Sequence, residues 1–301
     1  MRPSQLRSRL TDSPLTDPVV LVELFALSNI AFLALDVGFA HLINTFAHPA
    51  EWVPVGFSLI APIVLVAAMV IGGIHPTLAN QGSGQRRIAR YLGLSMGWGA
   101  IIVGIAGLLL HLRSAFFGEQ TLANLVYTAP FVAPLSYTGI GFLLLLNRMV
   151  VATSLEWARW VVLLALGGFV GNFVLTLADH AQNGFFQPSE WIGVVASAWA
   201  VSSLCAVLIY PRDNPLLLMA AVMMVAQMGV GVLGAYFHVM ADLRASAPRL
   251  VDRFLYGAPL FAPLLFADLA MLALVALWAV ARSKASLVPD SPILIEAFTA
   301  K

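Results

Sequence analysis

Charge is what this sequence has least of. Only 10% of its 301 residues are Asp, Glu, Lys or Arg, against 60% hydrophobic ones, whereas a soluble domain carries roughly a quarter charged residues. An ordinary watery surface is therefore excluded, and lipid must solvate most of the chain. The net charge of +1 supplies no field that would recruit nucleic acid, which is excluded as a partner. A single cysteine, Cys205, lies in an apolar run and rules out an internal disulfide or a cysteine-held cluster. The sequence also lacks a Walker phosphate loop, a CxxCH haem-attachment site, an HExxH helix and the closely spaced histidines of membrane desaturases. "GSGQ" near position 82 is a lone glycine-rich loop.

What the chain has is long apolar stretches. Runs near the ~20 residues needed to cross a bilayer fall at 19–43, 52–73, 91–111, 125–146, 160–180, 190–209, 216–238 and 255–281. "HPAEW", "QPSEW", "PRDNP" and "NQGSGQRR" punctuate them with proline, glycine and polar groups. The first run follows Arg2, Arg7 and Arg9 as a signal peptide would. It is too long for one, carries Glu23 and Asp36 and lacks a cleavage site, so it reads as a retained span. The expected class is all-α, a polytopic integral membrane protein of eight transmembrane helices.

Basic residues set the orientation. Arg2, Arg7, Arg9, Arg86, Arg87, Arg90, Arg148, Arg159, Arg212, Arg282, Lys284 and Lys301 fall on one side, and Arg113, Arg244, Arg249 and Arg253 on the other. Both termini are therefore expected in the cytoplasm, and the membrane is expected to be a bacterial inner membrane. Arg148 and Glu156 read as solvated residues at the cytoplasmic edge. Loop 239–254, with three of the minority arginines among Asp242 and Asp252, reads as a short amphipathic segment that docks a protein partner on the outer face.

The second half of the chain repeats the first. "HLINTFAHPAEW" at 41–52 meets "HAQNGFFQPSEW" at 180–191, with His, Asn, Pro, Glu and Trp at identical spacing. "VGIAGLLLH" at 103–111 meets "VGVLGAYFH" at 230–238, and "YTAPFVAP" at 127–134 meets "YGAPLFAP" at 256–263. The expected organisation is a cytoplasmic segment 1–18, four-helix repeats at 19–150 and 155–282, and a cytoplasmic tail 283–301. Four spans each make the repeats parallel, related by a pseudo-twofold along the membrane normal.

His41, His111, His180 and His238 end helices on the outer side, where His48 also lies, and Glu51 and Glu190 open helices there. His75 reads as a loop residue on the other side. Gly104 and Gly107 lie on the face of His111, and Gly231 and Gly234 on that of His238, because positions four and seven residues apart share a helix face. Such a groove suits either a flat cofactor, a b-type haem above all, or a neighbouring helix that approaches closely. Asn172, Thr176, Asp179 and Asn183 make a polar stripe beside His180, and Asn29, Asp36 and Asp268 add polar groups inside spans, where they are functional by default.

The expected function is a membrane redox subunit that exchanges electrons with a partner at the outer face. His41, His111, His180 and His238 would hold haem b or a transition metal, with quinone a further possibility, the four glycines would line the cofactor, and Asp179, Glu51 and Glu190 would tune ligands or accept protons. The alternatives are a carrier at the repeat interface, with its Ala-Pro pairs marking broken helices, and a structural subunit.

Overall fold

Local chemistry starts each helix where the sequence offers a cap. In the computed structural model, which describes residues 16–76, 84–151 and 154–285, the Asp17 carboxylate accepts from the amide of Val19 at 2.8 Å, one residue before Pro18 opens α1 (Pro18–Leu42). Helix α2 (Trp52–Gly72) follows a short 3₁₀ turn, Pro49–Glu51, and α3 spans Gly84–Arg113. Thr121 caps the short α4 (Leu122–Tyr127), and α5 runs from Leu135 to Met149. Ser154 caps α6 (Leu155–Gln182), α7 is Glu190–Ile209, and Asp213 caps α8 (Asn214–Arg244). The short α9 (Leu250–Leu255) and the long α10 (Leu264–Ala285) complete the described residues.

Among the described residues, seven helices are long and apolar enough to cross a bilayer. Their outward side chains suit lipid: Val70 and Ile63 on α2, Leu218 and Val232 on α8 are all widely exposed, which in water would be a large apolar patch. The expected span 125–146 is not one helix. It divides into α4, a stretch without helix at 128–134, and α5, whose 15 residues at ~1.5 Å each reach about 22 Å, short of a ~30 Å hydrocarbon core. Proline at 130 and 134 ends α4's run and restarts the chain as α5. The expected last span, 255–281, likewise begins later, at Leu264, after a break holding Pro259 and Pro263. Most of the expected loop 239–254 is helical, divided between the end of α8 and α9. The segments 1–15 and 286–301, with Arg2, Arg7, Arg9 and Lys301, lie outside the described residues.

The packing makes two rings. Helices α1, α2, α3 and α5 each touch the next and α5 closes on α1, while α6, α7, α8 and α10 do the same. The rings meet along α1–α10 and α5–α6. Exchanging the matched helices, α1 for α6 and α5 for α10, maps one of these contacts onto the other. One apolar cluster fills the second ring around Trp157, Val161, Phe169, Leu204, Met224 and Ala273, and a smaller one fills the first around Ile30, Ala61, Leu65, Tyr137 and Leu144.

Arg148 is not solvated. It is buried at the end of α5, where both terminal nitrogens of its guanidinium meet the buried carboxylate of Glu23 on α1. Asn147 donates to the same carboxylate at 3.0 Å and accepts from the indole of Trp157 at 3.2 Å. Three helices are tied together there, and Gly93 on α3 leaves the space that the guanidinium occupies. Glu156 is exposed, as expected of an edge residue.

Candidate functional site at the histidine end

Helices α1 and α6 turn back sharply just past His41 and His180, whereas α8 continues beyond His238 to Arg244. The carbonyl of His41 accepts from the amide of Phe46 at 3.1 Å, and that of His180 accepts from Phe185 at 3.1 Å, the six-to-one bond that closes a helix C-terminus. The turns use left-handed backbone: φ is 58° at Thr45 and 53° at Phe46, 70° at Gly184 and 52° at Phe185. Three of those four residues carry a Cβ and are strained there, and such strain collects at functional positions.

That backbone aims an aromatic ring. Phe46 stacks on Trp52 at 4.0 Å and 16°, and Phe185 on Trp191 at 4.1 Å and 15°. The same rings lie 6.1 Å from His41 and 6.1 Å from His180, tilted 42° and 43°. Phe46 and Phe185 thus join the candidate site, and they match at the same offset in 41–52 and 180–191.

The next turn brings in the carboxylates. Glu51 Oε2 stands 3.6 Å from His41 Nδ1, and Glu190 Oε2 stands 3.5 Å from His180 Nδ1. Both oxygens are buried and lack a hydrogen-bond partner among the described residues. Asn44 donates to the other oxygen of Glu51 at 3.1 Å, while Asn183 is the C-cap of α6. His48 plays a local part, accepting from the amide of Ala50 at the 3₁₀ turn.

The Ala-Pro pairs explain the glycines. His111 Nδ1 lies 2.9 Å from the carbonyl of Pro130, and His238 Nδ1 lies 2.8 Å from that of Pro259. A carbonyl only accepts, so Nδ1 carries a proton, and the tautomer with that proton alone has its Nε2 lone pair free. The second proline of each motif fills the groove below. A Cβ added at Gly107 would come within 2.7 Å of Pro134, and one at Gly234 within 2.8 Å of Pro263. Gly104 faces Thr138 and the carbonyl of Pro134, and Gly231 faces Ala267 and the carbonyl of Pro263 at 3.0 Å. Of the two uses expected for the groove, the described neighbour is a helix start, so a flat group laid on these glycines would have to displace it.

His41 and His111 stand 6.2 Å apart between ring centroids, at 85°, and His238 is near enough to His180 to interact electrostatically. Two clusters result: His41, Glu51 and His111, and His180, Glu190 and His238. Asp179 precedes His180, about 100° round the helix; it is half-buried, with no hydrogen-bond partner among the described residues. Asn172 is buried deeper on the same helix with its amide nitrogen unpartnered. Asp268 accepts from Asn29 at 3.0 Å and so links α10 to α1 within the spans. His75 pairs with Asp17 at 3.5 Å at the opposite end of the bundle. Among the described residues no three His, Cys, Asp or Glu side chains converge as the ligands of a metal ion. Comparison with family models, with curated proteins and with solved structures found no match.

Proposed function

We propose that the chain is an integral membrane redox subunit with two equivalent imidazole sites at one membrane face. The observation that carries this reading is the matched setting of two histidine pairs, each with one imidazole on a proline carbonyl and one beside a carboxylate. His111 and His238 hold Nδ1 at hydrogen-bond distance from the carbonyls of Pro130 and Pro259, which leaves their Nε2 as the available donor atom, while His41 and His180 face the carboxylates of Glu51 and Glu190 at 3.6 and 3.5 Å. Ligating histidines are held in this way by an outer partner that fixes tautomer and ring orientation. A b-type haem suits a site of few protein ligands, because the porphyrin supplies four of its own. A transition metal or a quinone bound between the imidazoles are the related choices, with Glu51, Glu190 and Asp179 as proton acceptors.

The matched turns, stacks and carboxylate distances, together with the exchange-symmetric contacts of the two rings, support two tandem repeats on a pseudo-twofold axis. On that reading α5, continued by 128–134, completes an eighth crossing. The excess of basic residues opposite the histidines supports an outward-facing site in a bacterial inner membrane, with a partner at 239–254.

Purified protein is expected to show a Soret band or roughly stoichiometric bound metal. His111→Ala and His238→Ala should each remove about half of it while the protein stays folded. Colourless, metal-free protein that also carries no extractable quinone and still supports its cellular role would refute the reading. A carrier is the second reading, favoured by the interrupted helices at 128–134 and 256–263 and by the Asn29–Asp268 bond across the two rings. Solute uptake lost in Asp268→Asn, with no change in any bound chromophore, would favour it.

A further inference from the structure

The end of the bundle opposite the histidines holds a small, partly open cavity between α1, α2, α3 and α5, lined by Glu23, Met69, Gly73, His75, Arg90 and Arg148. The charges on its wall are unequal. Glu23 is consumed by Arg148 and Asn147, and His75 faces Asp17. Arg90 is left over: its Nε–H is buried and has no hydrogen-bond partner among the described residues. Arg90 is half-buried as a residue, and a buried N–H without an acceptor is costly unless a ligand completes it.

The second half shows that packing does not require this cluster. At the offsets that pair His41 with His180, His111 with His238 and Pro134 with Pro263, Glu23 meets Val162, Arg90 meets Leu217, Gly93 meets Ala220, Asn147 meets Ala276 and Arg148 meets Leu277. All five of those second-half residues are buried in one apolar cluster. The same framework thus closes with hydrocarbon in one half and carries two guanidinium groups in the other.

The geometry points to a phosphate-binding site at this cavity, in which Arg90 donates to a phosphate oxygen and the fixed Glu23–Arg148 pair supplies the wall. The cavity lies at the ends of its helices, at headgroup depth for a chain spanning a bilayer, and basic pockets between membrane helices hold anionic lipid headgroups. A free phosphate offers the same oxygens.

The test uses the full chain purified in a mild non-ionic detergent and offered phosphatidylglycerol or phosphatidylcholine, with retained lipid counted by native mass spectrometry. Wild type should retain phosphatidylglycerol in preference. Arg90→Gln should lower that retention about fivefold, the factor one basic residue contributes at an anionic surface. Arg90→Lys should restore much of it, and Arg113→Gln, at the other end, should change nothing. A second arm adds inorganic phosphate without lipid and follows thermal unfolding: protection of wild type but not Arg90→Gln identifies free phosphate as the source. If folded Arg90→Gln matches wild type in both arms, the site does not exist.

Discussion

At the histidine end the two halves of the molecule agree in their main distances: Glu51 and Glu190 approach their imidazoles at 3.6 and 3.5 Å, and the Phe–Trp stacks differ by 0.1 Å. At the opposite end they part company, with a buried Glu23–Arg148 pair in the first half and Val162 and Leu277, both within one apolar cluster, in the second. The two rings thus hold different fillings where the ends only pack. Where strained backbone, aromatic stack and carboxylate all meet one imidazole, both halves keep the same solution. That contrast separates what the helices need from what the site needs.

Removing one partner of the charged filling should do the most damage. Glu23→Ala leaves the buried Arg148 guanidinium unpaired, which costs about 3–5 kcal/mol, whereas the double change Glu23→Val with Arg148→Leu copies the second half and should recover most of the loss. Thermal unfolding of the two variants in detergent measures both effects. A double variant no more stable than Glu23→Ala would mean that the halves do not share a framework at that end.

A smaller effect is expected in the glycine grooves. Gly107→Leu and Gly234→Leu drive a side chain into Pro134 and Pro263 and should each lower stability by about 1–3 kcal/mol. Gly56→Leu, on a helix face with nothing within 4 Å, should be close to silent in the same assay. Equal losses at 107 and 234 would strengthen the correspondence of the halves, and unequal ones would weaken it.

The finest comparison is at the turns, where Thr45 holds φ 58° in the first half and Gly184 holds φ 70° in the second. Thr45→Gly should stabilise by about 1 kcal/mol and Gly184→Thr should destabilise by a similar amount, because a β-branched residue resists left-handed backbone. Identical unfolding temperatures for all three proteins would remove strain from the description of these turns.

Much of the histidine end was legible because both halves spell it out: His, Asn, Pro, Glu and Trp keep their spacing, and a turn that returns Glu51 to His41 requires that spacing. Phe46 and Phe185 were equally visible, but an aromatic residue in a chain this apolar carries little information until a stack gives it a partner. The union of the glycine and Ala-Pro motifs could not be read, because neither motif specifies which proline meets which glycine. Glu23 and Arg148 are 125 residues apart, and no periodicity joins the ends of two helices. The helix of the fourth span starts later than expected, at Leu135, for a related reason. Hydropathy sums across the 128–134 break, which is apolar although its prolines cannot continue a helix.

The burial of α5 has a consequence for how the protein is made. Nine of its 15 residues are buried, among them Asn147 and Arg148, and the partners of that end, Glu23 and Trp157, sit on α1 and α6. A short helix that ends in a guanidinium partitions poorly into lipid alone. Stable insertion of α5 must therefore wait on α1, synthesised long before it, and on α6, which leaves the ribosome just after it. The polypeptide is thus obliged to complete its first half only once its second half has begun.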